Sequence, residues 1–208
     1  MPHLLVSRHP LVQAKLSLLR AKATPPMEFR RNLQELSMLL FAEATATLGV
    51  APITVETPLA ACAGEVLARP VVLVPILRAG LGMLDGILQL APDVGVGHIG
   101  LYRDEQTLRP VNYYARAPKA LADADTFLLD PMLATGHSAC EAVEVLRGKG
   151  AARLHLICIV ACPQGIAQLH AAHPDVRITT AAIDEKLDER GYILPGLGDA
   201  GDRYFGTG

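Results

Sequence analysis

Hydrophobic and polar positions change their spacing at Val71. Before it, apolar residues recur at helical spacing in LVQAKLSLLRAK and, after the Pro25-Pro26 break, in residues 27–48. From Val71 onward, short apolar runs rich in β-branched residues alternate with stretches of helical spacing. We therefore expect a helical N-terminal segment followed by alternating strands and helices.

The alternating part predicts an α/β fold. The predicted strands are VVLVP, VGVGHIGLY, VNYYAR, TFLLD, RLHLICIVA and VRITTAAI, and the predicted helices are 80–90, 138–147 and PQGIAQLHAAH. This order is typical of a mostly parallel, twisted sheet flanked by helices. No linker, repeat or low-complexity segment interrupts the sequence, so we expect one domain over residues 1–208. Ligands of such sheets bind where strand carboxyl ends meet helix amino ends.

Composition and charge argue against several classes of partner. Half of the residues are hydrophobic, and the net charge of −2 comes from interspersed signs, which favours neither nucleic acid binding nor an acidic tail. The longest apolar region is interrupted by Arg78 and Asp85, so we expect no membrane span. The four cysteines form no CxxC pair and no secretory leader is evident, which predicts a reduced, cytoplasmic protein. Cys158 and Cys162 are interpreted as core thiols.

The turn after TFLLD has the composition of a phosphate site. Asp130 ends this strand, and the small residues Ala134, Thr135 and Gly136 lead into the helix predicted from Ser138. Converging N–H groups and the positive end of a helix bind anions, while an aspartate accepts hydrogen bonds from sugar hydroxyls. The same turn is also consistent with a simple capping box, in which Ser138 is the N-cap and Glu141 its partner. The residues alone leave both interpretations open.

Two other phosphate motifs fail the test of context. The chain has no GxxxxGK[ST] string, which a P-loop requires. GxGxxG occurs as GVGHIG and as GLGDAG, but neither lies between a predicted strand and a helix. A dinucleotide site is therefore not expected.

Three strings together are similar to a known family. FLLDPMLATGHSA resembles the loop with which type I phosphoribosyltransferases bind phosphoribosyl diphosphate (PRPP). Its Asp130-Pro131 pair, PILRAGLGM and GYILPGLGDAGDRYFGT resemble the uracil phosphoribosyltransferases, and the similarity covers essentially the whole chain. The resemblance implies the type I fold, a flexible β-hairpin around Arg103, and conversion of uracil and PRPP to UMP and pyrophosphate in pyrimidine salvage.

The resemblance implies a set of PRPP-binding residues. Asp130 would bind the ribose hydroxyls, Arg78 the pyrophosphate, and Arg103 the diphosphate when the hairpin closes. An arginine at a helix start also opposes the helix dipole, which favours an anionic ligand at Arg78. His137 stands where many relatives have glycine, so a positive φ there would strain it. The complete implied set is Arg78, Arg103, Asp130, Pro131, Met132, Leu133, Ala134, Thr135, Gly136, His137, Ser138 and Asp199.

Uracil binding and catalysis are implied for the C-terminal string. The main chain at Ile193 and the segment of Gly198, Asp199 and Ala200 would bind the base. Arg78 and Asp199 are the implied catalytic residues, with Asp199 as the candidate to assist deprotonation of uracil N1. Mg²⁺ is expected as cofactor, held mainly by PRPP and water rather than by a cage of side chains.

The expected partners are uracil, PRPP and further copies of the chain. The apolar helical N-terminus suggests an interface, and the family is generally oligomeric. GTP binding and allosteric control are also expected with the family, although the residues do not reveal whether a nucleotide activates. Two alternatives remain: a regulatory protein that binds RNA, which the balanced charge disfavours, and an enzyme for another base, such as a purine.

Overall fold

A computed structural model describes residues 3–103, 110–119 and 121–207. Its helices are α1 (Pro10–Arg20), α2 (Pro26–Thr45), α3 (Gly80–Leu90), α4 (His137–Gly148), α5 (Pro163–Ala172) and α6 (Ala200–Phe205). Its strands are β1 (Leu4–Val6), β2 (Val50–Glu56), β3 (Ala61–Leu67), β4 (Val71–Leu77), β5 (Gly95–Val96), β6 (His98–Arg103), β7 (Pro110–Arg116), β8 (Asp125–Leu129), β9 (Met132–Leu133), β10 (Arg153–Ala161), β11 (Arg177–Ile183), β12 (Lys186–Leu187) and β13 (Ile193–Leu194).

The central sheet is mostly parallel, as predicted. Its strand order is β1-β11-β10-β8-β4-β6-β7, and short β5 and β9 pair with β4 and β10. Among the described pairs of this sheet, only β6-β7 is antiparallel. It forms the predicted hairpin, whose tip at 104–109 lies outside the described residues. In register, Pro75 of β4 pairs with Leu129 of β8. The turns that follow these two strands therefore begin side by side.

Helices cover both faces of the sheet. Along β8, Phe127 and Leu129 pack with the cluster that includes α1, α2 and α3, while Leu128 packs with α4 and α5. This alternation is the period of two that a strand imposes on its side chains. Cys158 and Cys162 are fully buried, which confirms that they are core residues. Within the described ranges, no helix has both the length and the apolar character needed to cross a bilayer.

The sequence analysis did not anticipate the β2-β3 hairpin, which we call the arm. Its two strands pair along their whole length, from Val50 with Leu67 to Glu56 with Ala61. Nearly every arm residue is exposed, so neither strand has a face that is buried in this chain. The arm therefore has a surface that the rest of the domain does not cover.

Candidate active site at the carboxyl edge of the sheet

The turn after β8 begins with an acid and is fixed to β10. The Asp130 N–H donates to the Ile157 carbonyl at 3.2 Å, and the Pro131 carbonyl accepts from two β10 amides at 2.9 and 3.1 Å. Burial raises the pKa of Asp130 to about 6, opposed by the hydrogen bond from the Met132 N–H. The ionised carboxylate is therefore short of donors, and sugar hydroxyls are donors of the required kind.

Helix α4 begins at His137, one residue before the predicted start. Its N-cap is Gly136, with φ of +85°, and no side chain caps the helix. The alternative interpretation as a capping box is therefore wrong, because Ser138 is not the N-cap but lies in the first turn of α4. The concern about His137 is also resolved, because the left-handed conformation falls on Gly136 and His137 is helical.

The amides of this turn are available to a ligand. Among the described hydrogen bonds, none has the N–H of Thr135, Gly136, His137 or Ser138 as its donor. A Cβ at residue 136 would lie 2.8 Å from the Gly165 carbonyl oxygen, so the turn packs directly on the start of α5. Unpaired amides at a helix amino end form an anion site, as the sequence predicts for phosphate.

Arg78 lies in the neighbouring turn, between β4 and α3. Its side chain is 62% exposed, and Nη2 lies 3.8 Å from Asp202 Oδ1. Its guanidinium carbon lies 5.5 Å from the centre of the Phe205 ring. A Cβ at Gly80 would lie 2.4 Å from the Leu129 carbonyl oxygen, so this turn packs closely against the end of β8. Arg78 is therefore a solvent-exposed cation next to the turn that starts at Asp130.

A buried carboxylate and a partly buried arginine fix the C-terminal turn. Arg20 donates to both carboxylate oxygens of Asp184 at 2.7 Å and to the Gly196 carbonyl at 2.8 Å. Asp184 in turn accepts from the Gly196 N–H at 2.8 Å. Gly196 and Gly198 have φ of +58° and +77°, which favour glycine. The sequence analysis missed the role of Arg20, because 164 residues separate it from Asp184.

Asp199 caps a helix that was not predicted from the sequence. Its Oδ1 accepts from the Asp202 N–H at 2.9 Å at the start of α6. The Tyr204 hydroxyl donates to Asp85 at 2.8 Å and anchors α6 to α3. Asp199 is exposed, and its second carboxylate oxygen accepts no described hydrogen bond. That oxygen can face a substrate or a metal ion.

One cleft of about 230 Å³ joins the two turns. Its lining includes seven residues of the predicted site: Asp130, Met132, Ala134, Ile193, Gly198, Asp199 and Ala200. Ala79, which follows Arg78, also lines it, and so do Gly191, Tyr192 and Gly201, which the sequence analysis did not single out. The sequence therefore predicted correctly that the loop and the C-terminal string meet.

Other predicted site residues lie outside this lining. Pro131 and Leu133 are buried, and their carbonyls bond to amides of β10 and of Cys162. They support the turn and do not face the cleft. The turn of Thr135 to Ser138 continues from Ala134 into α4. Arg103 ends β6, and its side chain is outside the described part of the structure.

Comparisons with known proteins agree with this arrangement. The uracil phosphoribosyltransferase family model matches residues 6–207. A uracil phosphoribosyltransferase of Paracoccus denitrificans is 52% identical over 206 residues, which cover 99% of this chain and 98% of the relative. A solved structure from Aquifex aeolicus superposes with a TM-score of 0.92 at 34% identity and covers 97% of each chain. An adenine phosphoribosyltransferase of Trypanosoma brucei shares the fold, with a TM-score of 0.58 at 13% identity, covering 88% of this chain and 84% of that one.

Proposed function

The chain belongs to the uracil phosphoribosyltransferase family, and we propose that it converts uracil and PRPP to UMP and pyrophosphate in pyrimidine salvage. The observation that carries this proposal is the common cleft of Asp130 and the segment 198–200. The turn that leads into α4, which we call the anion turn, and the C-terminal turn, whose main chain is accessible, meet there. A sugar phosphate and a flat base are the two parts that this pair of turns suits.

The anion turn binds the 5′-phosphate and the ribose of PRPP. Amides of residues 135–138 and the hydroxyls of Thr135 and Ser138 donate to phosphate oxygens, as a helix amino end favours. Asp130 accepts hydrogen bonds from the ribose hydroxyls, which supply the donors that the buried carboxylate lacks. These hydrogen bonds position C1 of the ribose between the two turns.

Arg78 acts on the pyrophosphate as it leaves. In the reaction the C1–O bond to pyrophosphate breaks, the bond from uracil N1 to C1 forms, and N1 loses its proton. Negative charge grows on the pyrophosphate, and a cation that meets it there stabilises the transition state more than the ground state. The exposed side chain of Arg78 can exchange its 3.8 Å contact with Asp202 for the diphosphate. Arg103 has the same proposed role from the β6-β7 hairpin.

Main-chain groups select uracil. Uracil presents an acceptor, a donor and an acceptor in turn, and cytosine reverses two of these positions. Ile193 and residues 198–200 line the cleft, and their main-chain groups bind this pattern of donors and acceptors. Cytosine would leave buried polar groups mispaired, which costs about 1–3 kcal/mol for each group. Asp199 is the candidate to assist removal of the N1 proton, because its carboxylate lines the same cleft.

Mg²⁺ fits this cleft as a partner of PRPP. Within the described ranges, no three His, Cys, Asp or Glu side chains cluster as a metal site. Asp130 and Asp199 both line the cleft, and Mg²⁺ commonly uses one or two carboxylates together with substrate oxygens and water. The ion supplies positive charge to the diphosphate. EDTA should therefore stop UMP formation and added MgCl₂ restore it, whereas undiminished turnover in EDTA would contradict the requirement.

The proposal extends to a homo-oligomer, a dimer or higher. Large apolar side chains of the arm are exposed, most of all Leu59 at 97%: Val50, Ile53, Val55, Leu59, Val66 and Leu67. The N-terminal helices bury most of their apolar residues in the core, so the arm is the better supported interface. Light scattering should give a mass of at least two chains.

The proposal also includes a cytoplasmic location, GTP binding and allosteric activation by GTP. Rates of UMP formation measured with and without GTP test the binding and the activation.

Activity with a panel of bases tests the function. The folded protein, with PRPP and Mg²⁺, should form UMP from uracil and release one pyrophosphate for each UMP. Cytosine, adenine, guanine and hypoxanthine should give no nucleotide above background. A folded sample that forms no UMP at millimolar substrate concentrations, or that prefers a purine, would overturn the proposal.

A further inference from the structure

A second cavity lies at the amino ends of the strands, at the edge opposite to the active-site cleft. We call it the amino-edge cavity; its volume is about 320 Å³. It lies where β8, β10 and β11 begin, and Asp125, Arg153 and Arg177 line it. Because β8 runs from this cavity to the turn of Asp130, the two cavities lie at opposite ends of one strand. The proposed reaction uses none of its residues.

Buried polar atoms without partners are concentrated in this cavity. In the described part of the chain, four buried side-chain atoms have no hydrogen-bond partner: His3 Nδ1, Thr126 Oγ1, Arg153 Nε and His173 Nε2. The first three belong to residues that line the amino-edge cavity. Arg153 Nε faces Asp125 Oδ1 at 3.3 Å, so His3 Nδ1 and Thr126 Oγ1 are the two atoms there with no polar partner in the described chain, and Thr126 is only 1% exposed. Because buried polar groups are nearly always paired, this concentration points to a polar ligand.

The side chains around the cavity carry an excess of positive charge. Three arginines and two aspartates line it: Arg69, Arg153, Arg177, Asp125 and Asp175. Asp125 lies 3.3 Å from Arg153, and Asp175 accepts two hydrogen bonds from Arg147, at 2.6 and 2.7 Å. Both aspartates therefore already face an arginine. Among the described ion pairs, none involves Arg69 or Arg177.

His155, another lining residue, responds to this environment. Burial first, and the charge of Arg177 second, lower its pKa to about 4. The ring is therefore neutral near pH 7 and shares a hydrogen bond of 2.8 Å with the Thr179 hydroxyl. The positive charge that an incoming anion would meet comes from the arginines.

We propose that the amino-edge cavity is a second ligand site, which binds a phosphate dianion, either free or as part of a phosphorylated metabolite. Arg69 and Arg177 supply two positive charges, and neither forms an ion pair with a carboxylate of the described residues. Guanidinium groups match phosphate oxygens with paired N–H donors. The Thr126 hydroxyl and the His3 ring supply further polar contacts. Apolar side chains such as Leu48 and Phe127 also line the cavity and suit the organic part of a metabolite.

Tungstate, a heavy analogue of phosphate, locates the site directly. Crystals of the full chain soaked in tungstate should show anomalous density next to Arg153, Arg177 and Thr126. The active-site turn at 134–138 is expected to bind tungstate as well, so density there neither replaces nor obscures the second position. Density confined to that turn, or only water among the three arginines, would overturn the proposal.

Equilibrium dialysis with radiolabelled inorganic phosphate measures the site in solution. Arg177→Gln should bind one phosphate fewer for each chain than wild type, or bind it at least tenfold more weakly. Arg8→Gln is the matched control, because Arg8 is an exposed arginine outside the cavity lining. The difference in bound phosphate between Arg177→Gln and wild type gives the amount bound in the amino-edge cavity. This difference is the same whether or not the active-site turn also binds phosphate.

Thr126→Val separates binding from folding. Valine has the shape of threonine, and the lost hydroxyl has no protein partner, so the melting temperature should not fall. Phosphate binding should nevertheless weaken severalfold. Equal binding by wild type, Arg177→Gln and Thr126→Val would overturn the proposal. Glycerol 3-phosphate that displaces the labelled phosphate at lower concentrations than unlabelled phosphate does would identify the ligand as a phosphorylated metabolite. Displacement only at higher concentrations would identify it as free phosphate. Either result retains the site.

Discussion

Asp184 connects the end of α1 to the turn proposed to bind uracil, and Asp184→Asn tests that connection. The carboxylate is 6% exposed and accepts three short hydrogen bonds, two from Arg20 at 2.7 Å and one from the Gly196 N–H at 2.8 Å. Asparagine keeps the size of the side chain but replaces one acceptor oxygen with a donor. At least one of the three bonds is then lost, and Arg20 loses its counter-charge.

The magnitude follows from the burial of the pair. Breaking a buried ion pair costs about 3–5 kcal/mol. The Arg20 side chain is 24% exposed, so water partly compensates it and we expect about 2–3 kcal/mol. For a chain of this length, that corresponds to a fall in melting temperature of roughly 4–12 °C. The looser Gly196 turn should raise KM for uracil about tenfold, or ~1.4 kcal/mol, while Kd for PRPP stays nearly constant.

Urea unfolding and uracil saturation kinetics measure the two effects. Asp175→Asn is the matched control, because Asp175 also accepts two bonds from one arginine, at 2.6 and 2.7 Å, but is exposed. An exposed pair contributes about 0–1 kcal/mol. The reasoning is refuted if Asp184→Asn costs no more stability than Asp175→Asn, or if uracil and PRPP affinities fall equally.

Three further predictions concern the cleft. Burial raises the pKa of Asp130 to about 6, so the empty protein should lose stability as pH rises from about 4 to 6. In urea unfolding at pH 8, Asp130→Asn should therefore be more stable than wild type by up to about 3 kcal/mol. At pH 4 the two proteins should have equal stability. A variant that is less stable than wild type at pH 8 would contradict the burial argument. Arg78→Ala should lower kcat about 10²–10³-fold while weakening PRPP binding much less. Single-turnover kinetics measure the rate and calorimetry measures PRPP binding. Equal losses in both would count against a role of Arg78 on the leaving group. Gly198 has φ of +77°, so Gly198→Val should distort the turn, with impaired uracil saturation but unchanged PRPP affinity; normal uracil saturation would argue against main-chain recognition.

Strands with a long apolar or β-branched run could be predicted from the sequence, and the arm strands could not. The strand β10 was predicted residue for residue, because its apolar run is buried on both faces of a parallel sheet. The arm strands were missed, because they are exposed, β3 has no β-branched run, and the alternation in β2 covers only residues 53–56. Helix α6 was missed because tertiary contacts of Tyr204, rather than a long amphipathic pattern, hold its six residues.

The candidate site could be predicted where a motif fixes the chemistry. Asp130, Asp199 and Ile193 lie in recognisable strings, and all three line the cleft. The sequence could not place the start of α4 to within one residue. The left-handed conformation lies at Gly136, and the helix begins at His137. Arg20 was missed because its contact with the C-terminal turn depends on the packing of α1, which the local sequence does not specify.

A crystal soaked with UMP tests the central claim most directly. The product contains both the phosphate and the base, so it should span the cleft. Its phosphate should accept from amides of residues 135–138, its ribose hydroxyls should donate to Asp130, and its uracil ring should bond to main chain of Ile193 and residues 198–200. Density for UMP at another surface, or a base that contacts neither segment of the C-terminal turn, would contradict the account.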